Sequence, residues 1–184
     1  MGLALVILFV AAGFVILTYN GLTSLRATAD GAWADIDVQL KRRHDLVPAL
    51  VAAVQGHAGY ERSTLEAVIA ARQRAASATG PRAAGEAEGA LAGSVQQLLA
   101  LAEAYPDLKA AESFLSLQRN LTEIEDHVQQ ARRYYNAVVR DLNTKIQQFP
   151  SNLLARPLGF AERESFGIDG AERAAPRIDL GRGA

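Results

Sequence analysis

Cysteine is absent from this chain of 184 residues. That excludes disulfides, thiolate nucleophiles, Cys-ligated zinc and iron–sulfur clusters, and it leaves no lipobox for a diacylglyceryl anchor. Lysine is nearly missing, with only Lys41, Lys109 and Lys145 among 19 basic residues. Those 19 meet 20 acidic residues for a net charge of −1. No basic excess is available to release counterions, so no nucleic-acid partner is expected. Aromatics make up 7% of the chain, and no long run alternates at period two, which argues against an all-β fold. P-loop and GxGxxG strings are missing too. What is abundant is alanine, at 35 residues the commonest type and the best helix former.

Charge is also absent from the whole stretch before Arg26. Met1 to Tyr19 reads MGLALVILFVAAGFVILTY. As a helix it measures about 28 Å, close to the hydrocarbon thickness of a bilayer. Eleven of the 19 residues are Leu, Ile, Val or Phe, worth about −3 to −7 kcal/mol on the insertion scale. Residues 1–19 are therefore read as a transmembrane signal anchor, with Tyr19 at the membrane interface. A cleaved signal peptide is the rival, using Ala27-Thr28-Ala29. That site lies well beyond the apolar run, and no Lys or Arg precedes the run. Arg26 and Lys41-Arg42-Arg43 all follow the span. The positive-inside rule then puts the soluble part on the cytoplasmic side of a cell membrane.

After Tyr19 the apolar residues step by three or four. Leu22, Leu25, Ala29, Ala32/Trp33, Ile36 and Leu40 continue in phase through Val47, Val51, Val54, Ala58, Leu65 and Val68. This predicts an amphipathic helix. Trp33 lies about 21 Å along it from Tyr19, too far for an interfacial belt, and is assigned to a core. Pro48 interrupts the stripe. Either the helix kinks between His44 and Pro48, or it ends there and Asp45 caps a new one.

Ser77 to Ser94 holds four Gly and one Pro and is the clearest break. It predicts a loop at Ser77–Pro81, then a weakly specified helix from Arg82 to Ala104 with Leu91, Val95, Leu98, Leu99 and Leu101 or Ala102 on its apolar face. Pro106 can open the last helix at its first position. There Phe114, Leu121, Val128, Tyr135, Leu142 and Phe149 recur every seven residues, with Leu117, Ile124, Ala131 and Val138 in the second seam. That is a coiled-coil-like repeat, ended by Pro150. Leu153, Leu154, Leu158, Phe160 and Phe166 are expected to fold back onto the bundle, and residues 168–184 read as a disordered tail.

The candidate chemistry is sparse. His57 and Glu61 share a helix face, but a metal site needs three or four convergent ligands, and His44 and His127 have no supporting pattern. No metal and no cofactor is expected. Lys41-Arg42-Arg43-His44 could grip phosphate or an acidic partner, or be a solvated run paired with Asp37 and Asp45. Arg43, Glu61 and Arg72 fall at or near stripe positions otherwise held by Val, Leu and Ala. They could form a polar network or ligand cleft in the seam, or pack their stems along it with their heads in water. Glu123, Glu125 and Asp126 lack the Glu-x-x-His partners of a di-metal bundle, and no catalytic triad can be assembled.

Two long strings carry a resemblance. AWADIDVQLKRRHDLVPALVAAVQGHAGYERSTLEAVIAAR and YPDLKAAESFLSLQRNLTEIEDHVQQARRYYNAVVRDLNTKIQQFPSNLLARPLGF, behind an apolar segment and Tyr19-Asn20-x-Leu22, make the chain similar to the LemA family of bacterial membrane proteins. The resemblance covers about residues 1–167. It implies an all-α, single-pass protein: a transmembrane helix, then an up-and-down bundle of three or four long helices over residues 20–167. Four are expected if the chain turns at Pro48. It implies membrane-associated and magnetosome-associated roles, without catalytic residues to carry over. The expected function is a non-catalytic, membrane-anchored scaffold or adaptor in the bacterial inner membrane, with the lipid bilayer and a protein partner as its contacts. Alternatives are a ligand-binding or enzymatic domain built on Arg43, Glu61 and Arg72, and a homo-oligomer that organises membrane through exposed seams.

Overall fold

The computed structural model describes residues 1–56 and 62–167. The described residues are helices and connections, with no strand among them. In chain order they are α1 (Gly2–Gln55), α2 (Arg62–Ser77), α3 (Pro81–Ala102), the short α4 (Pro106–Ala110), α5 (Glu112–Gln147) and the single turn α6 (Asn152–Ala155). α1 packs chiefly against α5, and α2 against α3. His57 and Glu61 lie outside the described residues, as does the tail 168–184.

α1 is one helix of 54 residues, about 81 Å long by helix rise. Its first part has no protein around it: Phe9 is 85% exposed and Leu17 74%. A core helix would bury such side chains, so the apolar segment projects from the bundle. It is the one described helix long and apolar enough to cross a membrane. From Leu22 onward the three-and-four spacing takes effect, and α1 runs through three successive apolar clusters. Leu22 joins Leu142, Ile146, Ala155 and Phe160 at the base. Ala29, Ala32, Ile36 and Leu40 meet Val128, Tyr135, Val139 and Phe166 in the middle. Val47, Leu50, Val51 and Val54 meet Leu65, Val68, Leu91, Leu98 and Phe114 at the far end. Trp33 stacks at a tilt on Tyr135 and edge-on to Phe166, centroids 5.5 and 5.7 Å away.

Four long helices are present, but the chain does not turn at Pro48: α1 continues through it to Gln55. The last helix also departs from expectation. Pro106 starts α4, and Ala111 then adopts an extended conformation (ψ 125°) before α5 begins. Phe149 leaves the seam altogether and is 74% exposed. The residue before a proline is held out of the α region, so Pro150 draws the chain out of the helix and Gln148 is already extended. Ser151 closes the end, its hydroxyl donating to the carbonyls of Lys145 and Gln148.

The chain then climbs back along α5. Phe160 and Phe166 are buried as expected, whereas Leu153 and Leu158 are exposed. The side-chain amide of Asn143 donates to the Arg163 carbonyl and accepts from its N–H, both at 2.9 Å. Asn136 does the same for Phe166, at 3.1 and 2.9 Å. Seven helical residues rise about 10.5 Å, and three extended residues cover about 10 Å, so the two asparagines match the two gripped residues. Tyr135 donates its hydroxyl to the Glu164 carbonyl, and Arg163 pairs with Asp30 on α1 at 2.6 Å. Gly85 on α3 admits this segment: a Cβ there would land on the backbone of Gly167.

Candidate functional site

Pro48 has no N–H to offer the carbonyl of His44, one turn earlier. That carbonyl turns out to be satisfied from another helix. Nε of Arg72, on α2, donates to it at 2.6 Å. A buried carbonyl left alone would cost about 1–3 kcal/mol, so Arg72 offsets the defect that the proline makes.

The same level of the bundle holds a set of charges. Arg43 is 4% exposed. Its Nη1 meets Glu88 of α3 at 3.3 Å and its Nη2 meets Glu125 of α5 at 3.2 Å. Glu88, equally buried, places its second oxygen on Nε2 of His44. The cluster thus links α1, α2, α3 and α5 at one height. The basic run Lys41–His44 is therefore split. Lys41 and Arg42 are exposed, whereas Arg43 turns inward and pairs with Glu88 and Glu125, in place of the expected Asp37 and Asp45.

Of the three seam residues singled out in the sequence, Arg43 and Arg72 come together around His44, and Glu61 lies outside the described residues. Sequence reasoning missed Glu88 and the part played by His44. A signal for Glu88 existed: the buried positions of α3 are Ala84, Glu88, Leu91, Val95, Leu98 and Ala102. Its spacing of four and three places Glu88 on the seam. Chemically the cluster spends most of its charge on itself. Arg43 meets both carboxylates through its Nη atoms, His44 shares Glu88, and Arg72 serves the His44 carbonyl, while Nε of Arg43 is buried without a partner. No group of three or more metal-ligating side chains occurs among the described residues. Such an arrangement braces helices.

A second feature lies at the opposite end, about 38 Å away along α1. An open groove of about 460 Å³ is lined by Phe14 and Thr18 of α1, Lys145 of α5 and Phe149, Pro150 and Ser151 of the following turn. Tyr19 sits beside it, edge-on to Phe160 with centroids 5.8 Å apart.

Comparison with known proteins supplies relatives. The chain is 24% identical to the magnetosome proteins MamQ 1 and MamQ 2 of Paramagnetospirillum magneticum, over 88% of its own length and 68% of theirs. It is 23% identical to the magnetosome protein MamQ of Magnetospirillum gryphiswaldense, over 83% of this chain and 65% of that one. The LemA family profile matches residues 32–180, from the turn before Ile36 to beyond the strapped segment. By that match the chain belongs to the LemA family.

Proposed function

We propose that this protein is a non-catalytic scaffold or adaptor, fixed in a bacterial inner membrane by residues 1–19, that presents the long helical surface of residues 20–167 to a protein partner. The observation that carries the reading is α1 itself. One helix runs without a break from a naked apolar end into the far cluster of the bundle, so anchor and domain share one continuous element. The engagement of both Arg43 Nη atoms by Glu88 and Glu125 of neighbouring helices favours a structural role over a ligand cleft. The relatives are named as magnetosome proteins, and the membrane reading for this chain rests on its own apolar segment. The basic residues that follow the span favour a cytoplasmic bundle.

The test is fractionation combined with proximity labelling. The full chain should stay with membranes through a carbonate wash at high pH. A labelling enzyme fused to its C-terminus should mark cytoplasmic neighbours above a soluble-enzyme control. Release into the wash would end the anchor, and labelling no richer than the control would end the adaptor.

A further inference from the structure

The corner made by the end of α5, α6 and the residues just after it carries three bare apolar side chains. Phe149 is 74% exposed, Leu153 64% and Leu158 40%. Their position along α1 gives them meaning. The groove that includes Phe149 and Pro150 is closed on its other side by Phe14 and Thr18, which belong to the apolar run that ends at Tyr19. Phe14 lies about 7.5 Å below Tyr19 by helix rise. On the outer side of the same stretch, Ile16 and Leu17 are also exposed. Any medium that covers Ile16 and Leu17 therefore lies at the depth of the corner.

The polar groups that line the groove are mixed, with Asp141, Thr144 and Gln148 beside Lys145, as a headgroup layer tolerates. Lys145 lays its Nζ against Gly21, two residues above Tyr19, where any larger residue would displace it. Arg156 follows α6 and is exposed. Thr18, the one polar side chain in the last turn of the run, faces inward and is buried. Bare aromatic and leucine side chains with Lys145 and Arg156 close by in the chain make the pattern of a surface that settles at the acyl boundary.

We infer that the α5–α6 corner is a lipid-facing foot: Phe149, Leu153 and Leu158 enter the interfacial layer of the bilayer that the apolar segment of α1 crosses. This rests on the anchor reading above. It adds a second contact between bundle and membrane, about 130 residues after the first in sequence and beside it in space. Two contacts fix the azimuth of the bundle about the span, which one helix alone leaves free to rotate.

The chain has no cysteine, so single spin labels report single sites. The full-length protein is reconstituted into phosphatidylcholine–phosphatidylglycerol vesicles as Phe149→Cys, Leu153→Cys, Leu5→Cys or Lys41→Cys. Collision with oxygen, enriched in lipid, is compared with collision with a water-soluble nickel complex. Labels at 149 and 153 should favour oxygen, less strongly than Leu5→Cys, whereas Lys41→Cys should favour nickel. Labels at 149 and 153 that behave like position 41 while position 5 reads deep would overturn the foot and leave the anchor standing. Shielding of 149 and 153 from both reagents would mean contact with another protein copy and would also overturn it. Nickel access at position 5 would overturn anchor and foot together. Two independent labelled sites, both exposed, guard against misfolding of either variant.

Discussion

Arg43 shows how one side chain can hold three helices to a common height. Removing one member of a buried ion pair leaves the other charged and unsolvated, at about 3–5 kcal/mol. Arg43→Met is therefore expected to lower the unfolding free energy by about that amount. Arg43→Met combined with Glu88→Leu should recover much of the loss, as read by denaturant unfolding in detergent. Arg72 and Pro48 are coupled through an atom belonging to neither, the His44 carbonyl. Arg72→Met should destabilise by about 1–3 kcal/mol. The loss should shrink in a Pro48→Ala background, where the new N–H takes over that carbonyl; equal losses in both backgrounds would refute the coupling. Tyr135 offers a pH test. Burial, the largest influence, raises its phenol above the ordinary value of 10.0; Glu164 and Asp30 push the same way and Arg163 opposes them. The folded state thus holds this proton more tightly than the unfolded chain. Its contribution is full below pH 10.0 and fades as pH rises through the higher folded value. Phenolate absorbance followed from neutral to strongly alkaline pH should show one tyrosine ionising late, together with falling stability.

At the scale of elements, the strap formed by residues 161–167 depends on two amides and one missing side chain. Asn136→Ala or Asn143→Ala removes two hydrogen bonds and strands the polar groups of a peptide, a loss of about 1–3 kcal/mol. Gly85→Ala forces a methyl group into the Gly167 backbone, with a similar expected loss from overpacking. In each variant the strap should be cut earlier by a protease while α5 keeps its amide-exchange protection. These contacts also mark the limit of what the sequence displays. The helices were legible because apolar spacing reports burial directly, and Leu22 to Val54 and Phe114 to Leu142 went where their periods put them. Asn136 and Asn143 are seven apart in plain sight, yet their bonds go to backbone atoms of a segment with no period of its own. Glu88 lay on an apolar phase and was hidden by its charge and its Gly-rich surroundings. Phe149 fitted the heptad, and Pro150 next to it overrode the pattern. Ala111, which splits α4 from α5, carries no breaker signal, and nothing in the structure explains why the extended conformation falls there.

For the molecule as a whole, what matters most is that α1 continues through Pro48 as one helix. Spin labels at Ser24→Cys and Gln55→Cys, 31 residues apart, should lie about 46 Å from each other, to within the reach of the labels, if helix rise is uninterrupted. A narrow distance distribution at that value is expected, and a broad or much shorter one would place a hinge at Pro48. A continuous rod is also a lever. Transmembrane helices tilt by about 20° on average, by an amount that responds to bilayer thickness. From Tyr19 to Gln55 the arm is about 54 Å, so a swing of that size sweeps its distal tip sideways by about 18 Å. With the apolar segment anchored as proposed, a change of a few ångströms in the lipid would reappear, magnified, as a displacement of whatever rides on the crown of the bundle.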